Sequence, residues 1–346
     1  MIKVLIADDS AFMRKAISVI LEKDSDIKVV GYARNGEEAV EKVISLKPDI
    51  LTLDVEMPVM NGLDALRVIM ADNPLPVLMI SSITKSGAES TFQALELGAL
   101  DYITKDLSYV SLDIMKLEKE IIDKVKLISR KKIFPKNHFD KSVITSLTGK
   151  PVKLQYKNKI KIIAIGSSTG GPGALQTVLP YFPQDIPVPI MIVQHMPPGF
   201  TRTFANRLNS LSKIKVKEAE NDEKLEDGTA YIAPGNMQMS LKKEGAKLKI
   251  SITSEPVNTI YRPSVNYMIN SIADIFGSSA LSIILTGMGN DGLEGAREIK
   301  RKKGYVFAQD EKTSIIFGMP KAVIDAGFAD KICPIQNMAG EIVNFL

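Results

Sequence analysis

The sequence repeatedly sets a short apolar run before a polar or glycine-rich turn, and follows it with an amphipathic stretch. This alternation narrows the fold more than any other feature. Near the N-terminus the runs are Lys3–Ala7, Lys28–Ala33, Ile50–Leu53, Val77–Ser81 and Tyr102–Thr104, with amphipathic stretches such as Ser10–Lys23 and Gly36–Leu46 between them. Runs too short for helices, separated by helical periodicity, predict parallel βαβ units in a doubly wound α/β sheet. Ser10 is placed to cap the first helix, and Asn35 with Glu38 three residues on has the form of a capping box for the second.

At 346 residues the chain is too long for one average core, so two domains are expected. A helical pattern over 112–128 closes the first. Residues 129–158, rich in Lys, Asn, Ser and Thr and containing Pro135 and Pro151, read as a linker. From residue 159 a second α/β pattern begins. Its runs Ile160–Ile165, Val188–Gln194 and Leu281–Thr286 are continuously apolar, as in strands buried on both faces. Leu241–Ser251 alternates apolar and charged residues and predicts inserted antiparallel strands.

The net charge of +4 is unevenly spread: Lys124–Lys161 holds 12 Lys or Arg against one acid, Asp140, which leaves the rest of the chain net acidic. A general nucleic-acid surface is therefore not expected, and the basic stretch reads as a solvated linker. One cysteine, Cys333, excludes an intramolecular disulfide framework and a cysteine-based zinc site. No apolar run is long enough to span a bilayer, and Met1–Asp9 lacks the basic start and long apolar core of a signal peptide. A cytoplasmic location without membrane insertion is expected.

Three acids fall at strand ends of the first domain: Asp8 and Asp9 after the first, Asp54 after the third. Sites in open parallel sheets form at such ends. Converging carboxylates repel unless they hold a hard cation, and Mg²⁺ suits a few carboxylates, water and phosphate oxygens. Asp54 is then the candidate nucleophile for a phosphoryl group, with Ser81 placed to hydrogen-bond a phosphoryl oxygen and Lys105 to pair with the charge. These residues, with Met57-Pro58 and Asn61-Gly62, resemble the receiver domain of bacterial response regulators over residues 1–128. The resemblance implies a flavodoxin-like fold, phosphorylation of Asp54 by a histidine kinase, and an aromatic switch role for Tyr102. Asp106 departs from it, standing where a proline usually follows the lysine, which leaves the local loop path open.

In the second domain, Gly166-Ser167-Ser168-Thr169-Gly170-Gly171 follows a strand and matches Gly-x-Ser-x-Gly with Ser168 at its centre; Ser167 fails the spacing. A helix starting near Pro172 would aim its first N–H groups at the same pocket. The turn alone also suits a phosphate cradle. The chain has two histidines, and while His138 falls in the linker, His195 ends the strand Val188–Gln194, on the same sheet edge as Ser168. Asp291 follows the strand Leu281–Leu285 in a glycine-rich loop and can hold His195 in the useful tautomer; Asp310 is the competing acid. The order Ser, His, Asp differs from that of the α/β-hydrolases, so the expected catalytic fold is a distinct one.

Together with Gln194-His195-Met196-Pro197-Pro198-Gly199-Phe200-Thr201, Ala233-Pro234-Gly235, Arg262-Pro263-Ser264 and Gly287–Gly292, these motifs resemble the catalytic domain of the chemotaxis protein-glutamate methylesterases over residues 159–346. The resemblance implies a three-layer α/β/α hydrolase, the triad Ser168, His195 and Asp291, an oxyanion hole involving Thr169 and Met288, and no cofactor for the esterase step. It also implies glutamate demethylation and glutamine deamidation on methyl-accepting chemotaxis receptors, in receptor adaptation. A chemotaxis histidine kinase would be the phosphodonor, and the unphosphorylated receiver would restrain the esterase. Two rivals remain. A DNA-binding regulator would need a compact basic helix-turn-helix after the linker, and a silent receptor adaptor would leave Ser168 unreactive.

Overall fold

In the computed structural model, which describes residues 1–82, 84–105, 112–131, 160–245, 247–256 and 259–346, the chain forms two compact units divided between residues 155 and 156. The first carries strands β1 (Ile2–Ala7), β2 (Ile27–Ala33), β3 (Ile50–Asp54), β4 (Val77–Ser81) and β5 (Asp101–Thr104). All pair in parallel, in the order β2-β1-β3-β4-β5. The helices are α1 (Ala11–Leu21), α2 (Gly36–Leu46), α3 (Gly62–Asp72), α4 (Lys85–Leu97) and α5 (Leu112–Ile128). One face of the sheet, from Val4, Ile6, Ile50, Leu78, Ile80 and Ile103, packs on Ile17 and Leu21 of α1 and on Ile121 and Val125 of α5.

The expected caps form, with one difference. Ser10 Oγ accepts from Met13 N at 3.4 Å and Asn35 Oδ1 from Glu38 N at 2.9 Å. A reciprocal box would return Glu38 to Asn35 N. Instead its carboxylate takes Arg34 N at 3.3 Å and the Lys42 ammonium at 2.8 Å, drawn along the helix by an i,i+4 ion pair.

The basic stretch is not wholly solvated. Lys124 lies buried on α5, with Nζ 2.8 Å from Asp101 Oδ2, 3.0 Å from Glu120 and 2.8 Å from Tyr102 O. A buried ammonium is tolerable only with such partners. Lys126 likewise bridges Asp24 and Asp26. Helical periodicity, rather than charge count, governs these two lysines. His138 and Asp106 lie outside the described residues.

The second unit is built on β6 (Ile162–Ser167), β7 (Ile190–Gln194), β8 (Lys215–Glu218), β9 (Thr229–Ile232), β12 (Ala280–Ile284), β13 (Tyr305–Gln309) and β14 (Lys331–Cys333). They form one parallel sheet, ordered β14-β13-β12-β6-β7-β9-β8. An antiparallel hairpin of β10 (Gln238–Glu244) and β11 (Lys247–Thr253) stands apart from it, as the alternation over Leu241–Ser251 predicts. Helices α8 (Val265–Phe276), α9 (Leu293–Arg301) and α10 (Met319–Asp325) share a core with one sheet face. Helix α6 (Gly171–Val178) packs against α7 (Phe200–Leu211) and α11 (Ile335–Phe345). The chain runs outward from β6 through β7 to β8 and β9, then returns to β12 on the other side. The sheet therefore reverses direction between β6 and β12, where open α/β sheets form ligand crevices.

Candidate functional site

In the first unit the reversal lies between β1 and β3, and the acids sit there. One carboxylate oxygen from each of Asp8, Asp9 and Asp54 falls within 4.8 Å of the others. Asp8 and Asp54 are buried, while Asp9 is exposed. Lys105 Nζ is 2.6 Å from Asp54 Oδ2 and 3.1 Å from Asp8 Oδ2. Among the described residues the buried Asp8 Oδ2 has no hydrogen bond. Burial pushes the Asp54 carboxyl up to about 6; Lys105 opposes this and the neighbouring Asp8 adds to it. Three carboxylates against one ammonium leave excess negative charge around an orphaned oxygen, which is the donor set a divalent cation fits. Arg14 Nη1 donates to the carbonyls of Asp8 and Asp9 and fixes their loop. Gly62 is required by contact: a Cβ there would lie 1.9 Å from Asp54 O.

The other two residues of this group point inward. Ser81 is buried and its hydroxyl donates to Gly87 O at 3.0 Å, in the first turn of α4. Tyr102 is buried, and its phenol is raised above its ordinary value by burial and by Asp101.

In the second unit, β6 delivers the turn that carries Ser168. The half-buried Ser168 donates its N–H to Thr286 O at 3.0 Å and accepts from Gly171 N at 2.8 Å. Gly170 adopts φ 75°, and a Cβ there would meet Ile315 at 2.5 Å, so the turn demands glycine. Thr169 is buried, its carbonyl held by Thr286 Oγ1 at 2.9 Å. Gly287, just before Met288, approaches so closely that a Cβ would stand 2.8 Å from Ser168 Cβ. The loops carrying Thr169 and Met288 thus meet at Ser168.

His195 follows β7, and its N–H donates to Ser167 O at 3.1 Å. Its Nε2 lies 2.8 Å from Asp291 Oδ2, which leaves Nδ1 as the other ring nitrogen. Asp291 is buried at the start of α8. Besides His195 it accepts from Val265 N at 2.7 Å, Asn266 N at 2.9 Å and Ser264 Oγ at 3.1 Å. Burial would raise its carboxyl, but His195 and these amides together hold it below the ordinary value. The two amides are among those a helix start leaves unpaired, and the helix dipole favours an anion there. Asp310, the competitor, spends Oδ1 on Thr313 N and Oγ1. Among the described residues Ser168 Oγ makes no hydrogen bond to the imidazole; such bonds commonly tighten only with substrate in place.

Several residues of this site escape sequence inspection. The Tyr261 ring stacks on His195 with centroids 4.4 Å apart and planes 8° from parallel. Gln238 holds that loop through Tyr261 O at 2.9 Å and Ser264 N at 2.8 Å. Asn266 Oδ1 accepts from Gly292 N and Gly295 N, tying α8 to the loop that carries Asp291. The one available signal is position: Tyr261 immediately precedes the Arg262-Pro263-Ser264 motif.

Known proteins share this organisation. Residues 4–115 match the response regulator receiver domain model and residues 163–342 the CheB methylesterase model. The chain is 47% identical to protein-glutamate methylesterase/protein-glutamine glutaminase 1 of Oleidesulfovibrio alaskensis across 99% of both chains. It is also 47% identical to the protein-glutamate methylesterase/protein-glutamine glutaminase of Pyrococcus horikoshii, across 99% of this chain and 93% of that one. Among solved structures, the Thermotoga maritima CheB methylesterase catalytic domain aligns with a TM-score of 0.53 at 42% identity, covering 54% of this chain and 99% of its own. A receiver and a methylesterase domain in one polypeptide, matched end to end by such relatives, show that this chain belongs to the protein-glutamate methylesterase/protein-glutamine glutaminase family.

Proposed function

We propose that this chain is a phosphorylation-activated serine hydrolase that removes γ-methyl esters from glutamates, and deamidates glutamines, on chemotaxis receptors. The observation that carries the chemistry is the His195–Asp291 pair, seated on the amino end of α8 beside the Ser168 turn. Ser168 Oγ attacks the ester carbonyl as His195 Nδ1 takes the hydroxyl proton. The ionised Asp291 fixes the tautomer through Nε2 and stabilises the imidazolium that forms. The backbone N–H groups of Thr169 and Met288 hold the oxyanion. Collapse breaks the C–O bond, and the proton on His195 leaves with methanol. Water, deprotonated by His195, then attacks the glutamyl-serine ester; the bond to Ser168 Oγ breaks and the imidazolium gives its proton to that oxygen. Deamidation follows the same steps with ammonia as leaving group.

For regulation, a chemotaxis histidine kinase supplies the phosphoryl group. Asp54 attacks phosphorus, the bond to the donor histidine breaks, and Lys105 balances the charge of the acyl phosphate. Asp8, Asp9 and Asp54 would hold Mg²⁺, which neutralises carboxylate and phosphoryl oxygens when bound. Ser81 leaves Gly87 O to reach the phosphoryl oxygens, and Tyr102 responds as the aromatic switch. Moving a restrained population from 99:1 to 1:99 requires about 5.5 kcal/mol of differential stabilisation. Among the described residues no helix is long and apolar enough to cross a membrane, which is compatible with action in the cytoplasm.

The test is methanol release from methylated receptor. Ser168→Ala and His195→Ala should each lose about 10⁴-fold or more in kcat. Asp54→Asn should keep basal turnover and lose the response to a small phosphodonor. Near-normal release by Ser168→Ala would remove the serine mechanism, and an undiminished phosphodonor response in Asp54→Asn would remove control through Asp54.

A further inference from the structure

We infer that Gln194 and Ser167 form a buried polar strut that sets the spacing between the nucleophile loop and the base loop, and that Gln194 is a positioning residue for the reaction. The inference rests on the roles proposed above for Ser168 and His195. Strands β6 and β7 end in register, with Ser167 directly opposite Gln194. Both side chains are buried, so neither can touch substrate. Gln194 Nε2 donates to Ser168 O at 2.9 Å and to His195 O at 3.0 Å. Its Oε1 accepts from Ser167 Oγ at 2.7 Å. The orientation of the amide is therefore unambiguous: two carbonyls need its donors and one hydroxyl needs its acceptor. A single planar group thus holds the main chain of the nucleophile and of the base at once, and the bond from His195 N to Ser167 O closes the same ring of contacts.

A polar pair here is not explained by filling space. The runs that precede it, Ile162–Ile165 and Ile190–Val193, are fully buried and wholly apolar. Burying an amide and a hydroxyl in such surroundings is costly unless each finds a partner, and an apolar pair of equal volume avoids that cost. What the amide adds is a fixed distance between two loops. Gly171 keeps room for it, since a Cβ there would stand 2.0 Å from Gln194 Oε1 and 2.8 Å from Ser167 Cβ. The same contacts argue against Ser167 as the nucleophile despite its place beside Ser168: it is buried and its hydroxyl is committed to Gln194 Oε1. A reaction that passes a proton between serine and imidazole is sensitive to this spacing, and misplacing a reacting group by about 1 Å costs about 100-fold.

The experiment uses the full chain with saturating phosphodonor, and follows methanol release from methylated receptor together with fluorophosphonate labelling of Ser168. Gln194→Met keeps the volume and removes every hydrogen bond. Its kcat and labelling rate should fall about 100-fold with KM unchanged. Gln194→Glu keeps the acceptor for Ser167 but turns an oxygen on the two carbonyls, and should fall at least as far. Ser167→Ala should lose about tenfold, and the double variant Ser167→Ala/Gln194→Met should lose less than the product of its parts, because the pair acts as one unit. Wild-type kcat in Gln194→Met, or a loss confined to KM, overturns the inference. Should Gln194→Met fail to fold, Ser167→Ala decides: unchanged kcat overturns it. Ser168→Ala is run alongside, and its continued activity would strike the serine mechanism instead of the strut.

Discussion

Asp54 and Asp291 are both buried carboxylates at the rim of a parallel sheet, beside the point where its winding reverses, yet their surroundings drive them in opposite directions. Asp54 shares its pocket with Asp8 and Asp9 and has Lys105 as its cation, so burial raises it to about 6. Among the described residues Asp291 has no acid beside it and accepts from two helix-start amides, a serine and a histidine, so it is lowered. The first pocket is over-charged, and in the proposed mechanism it is completed by something that arrives, a cation and then a phosphoryl group. The second is internally satisfied, and in the proposed mechanism it holds a fixed charge for a proton that moves within the protein. One sheet architecture serves both because it supplies only the rim; the donors grafted on the rim decide between them.

The largest break in this contrast is expected from Asp291→Asn. An amide keeps the shape but favours the wrong imidazole tautomer, so kcat should fall by about 10⁴-fold in the methanol assay. Asp54→Asn should leave basal turnover alone. An Asp291→Asn enzyme within tenfold of wild type would mean that its carboxylate only holds α8 in place.

A smaller effect should appear in stability, with the two acids giving opposite pH dependence. An acid whose folded value lies above its unfolded value of 3.8 takes up a proton on folding, so stability falls as pH rises from 3.8 through 6. By neutral pH the cost at Asp54 is about 3 kcal/mol. Asp54→Asn should therefore stabilise the first unit by about 1–3 kcal/mol at pH 7 without divalent ions, with little gain near pH 4 and little with saturating Mg²⁺. Hydrogen exchange at the β1 and β3 amides of the full chain reads this, and a gain unaffected by Mg²⁺ would contradict a cation site there. Asp291 runs the other way. Its contribution is complete above 3.8 and disappears as pH falls through its lower folded value. Amides of α8 should accordingly lose protection only below about pH 4, and Asp291→Asn should abolish that dependence.

How far the sequence anticipates these two sites follows from what each is made of. The strand-end acids, the serine turn and the histidine are placed by chain pattern: once apolar runs define strands, their last residues must share an edge. Lys124 escapes because counting charge treats α5 and the linker alike, while its ion pair with Asp101 depends on which helix face meets β5. Asn35 is legible as a cap, but the turn of Glu38 toward Lys42 is a contest between nearby partners. Gln194 and Ser167 are visible as letters in motifs, whereas their bond needs the register of two strands distant in sequence. Tyr261 is the least legible, since neither spacing nor periodicity links a loop tyrosine to a histidine after another strand.

Tyr261 is also where the smallest effect is expected. Its ring lies flat on the His195 imidazole, and its phenol is raised by burial and by Asp291, so the tyrosine stays neutral beside the proposed base. An electron-rich face beside a forming cation contributes about 1 kcal/mol, comparable to other cation–π contacts, and the stacking also fixes the ring plane. Tyr261→Leu should lower kcat about fivefold at constant KM. Tyr261→Phe keeps the face and should recover nearly all of it. Loss in the phenylalanine variant equal to that in leucine would shift the role from ring to hydroxyl, which lies near Gly289. Where loss of Asp291 is expected to disable the proposed proton relay, loss of Tyr261 is expected only to trim the energy of a single protonation state. The ratio of the two losses thus separates what the fixed charge contributes from what the ring stacked beside it adds.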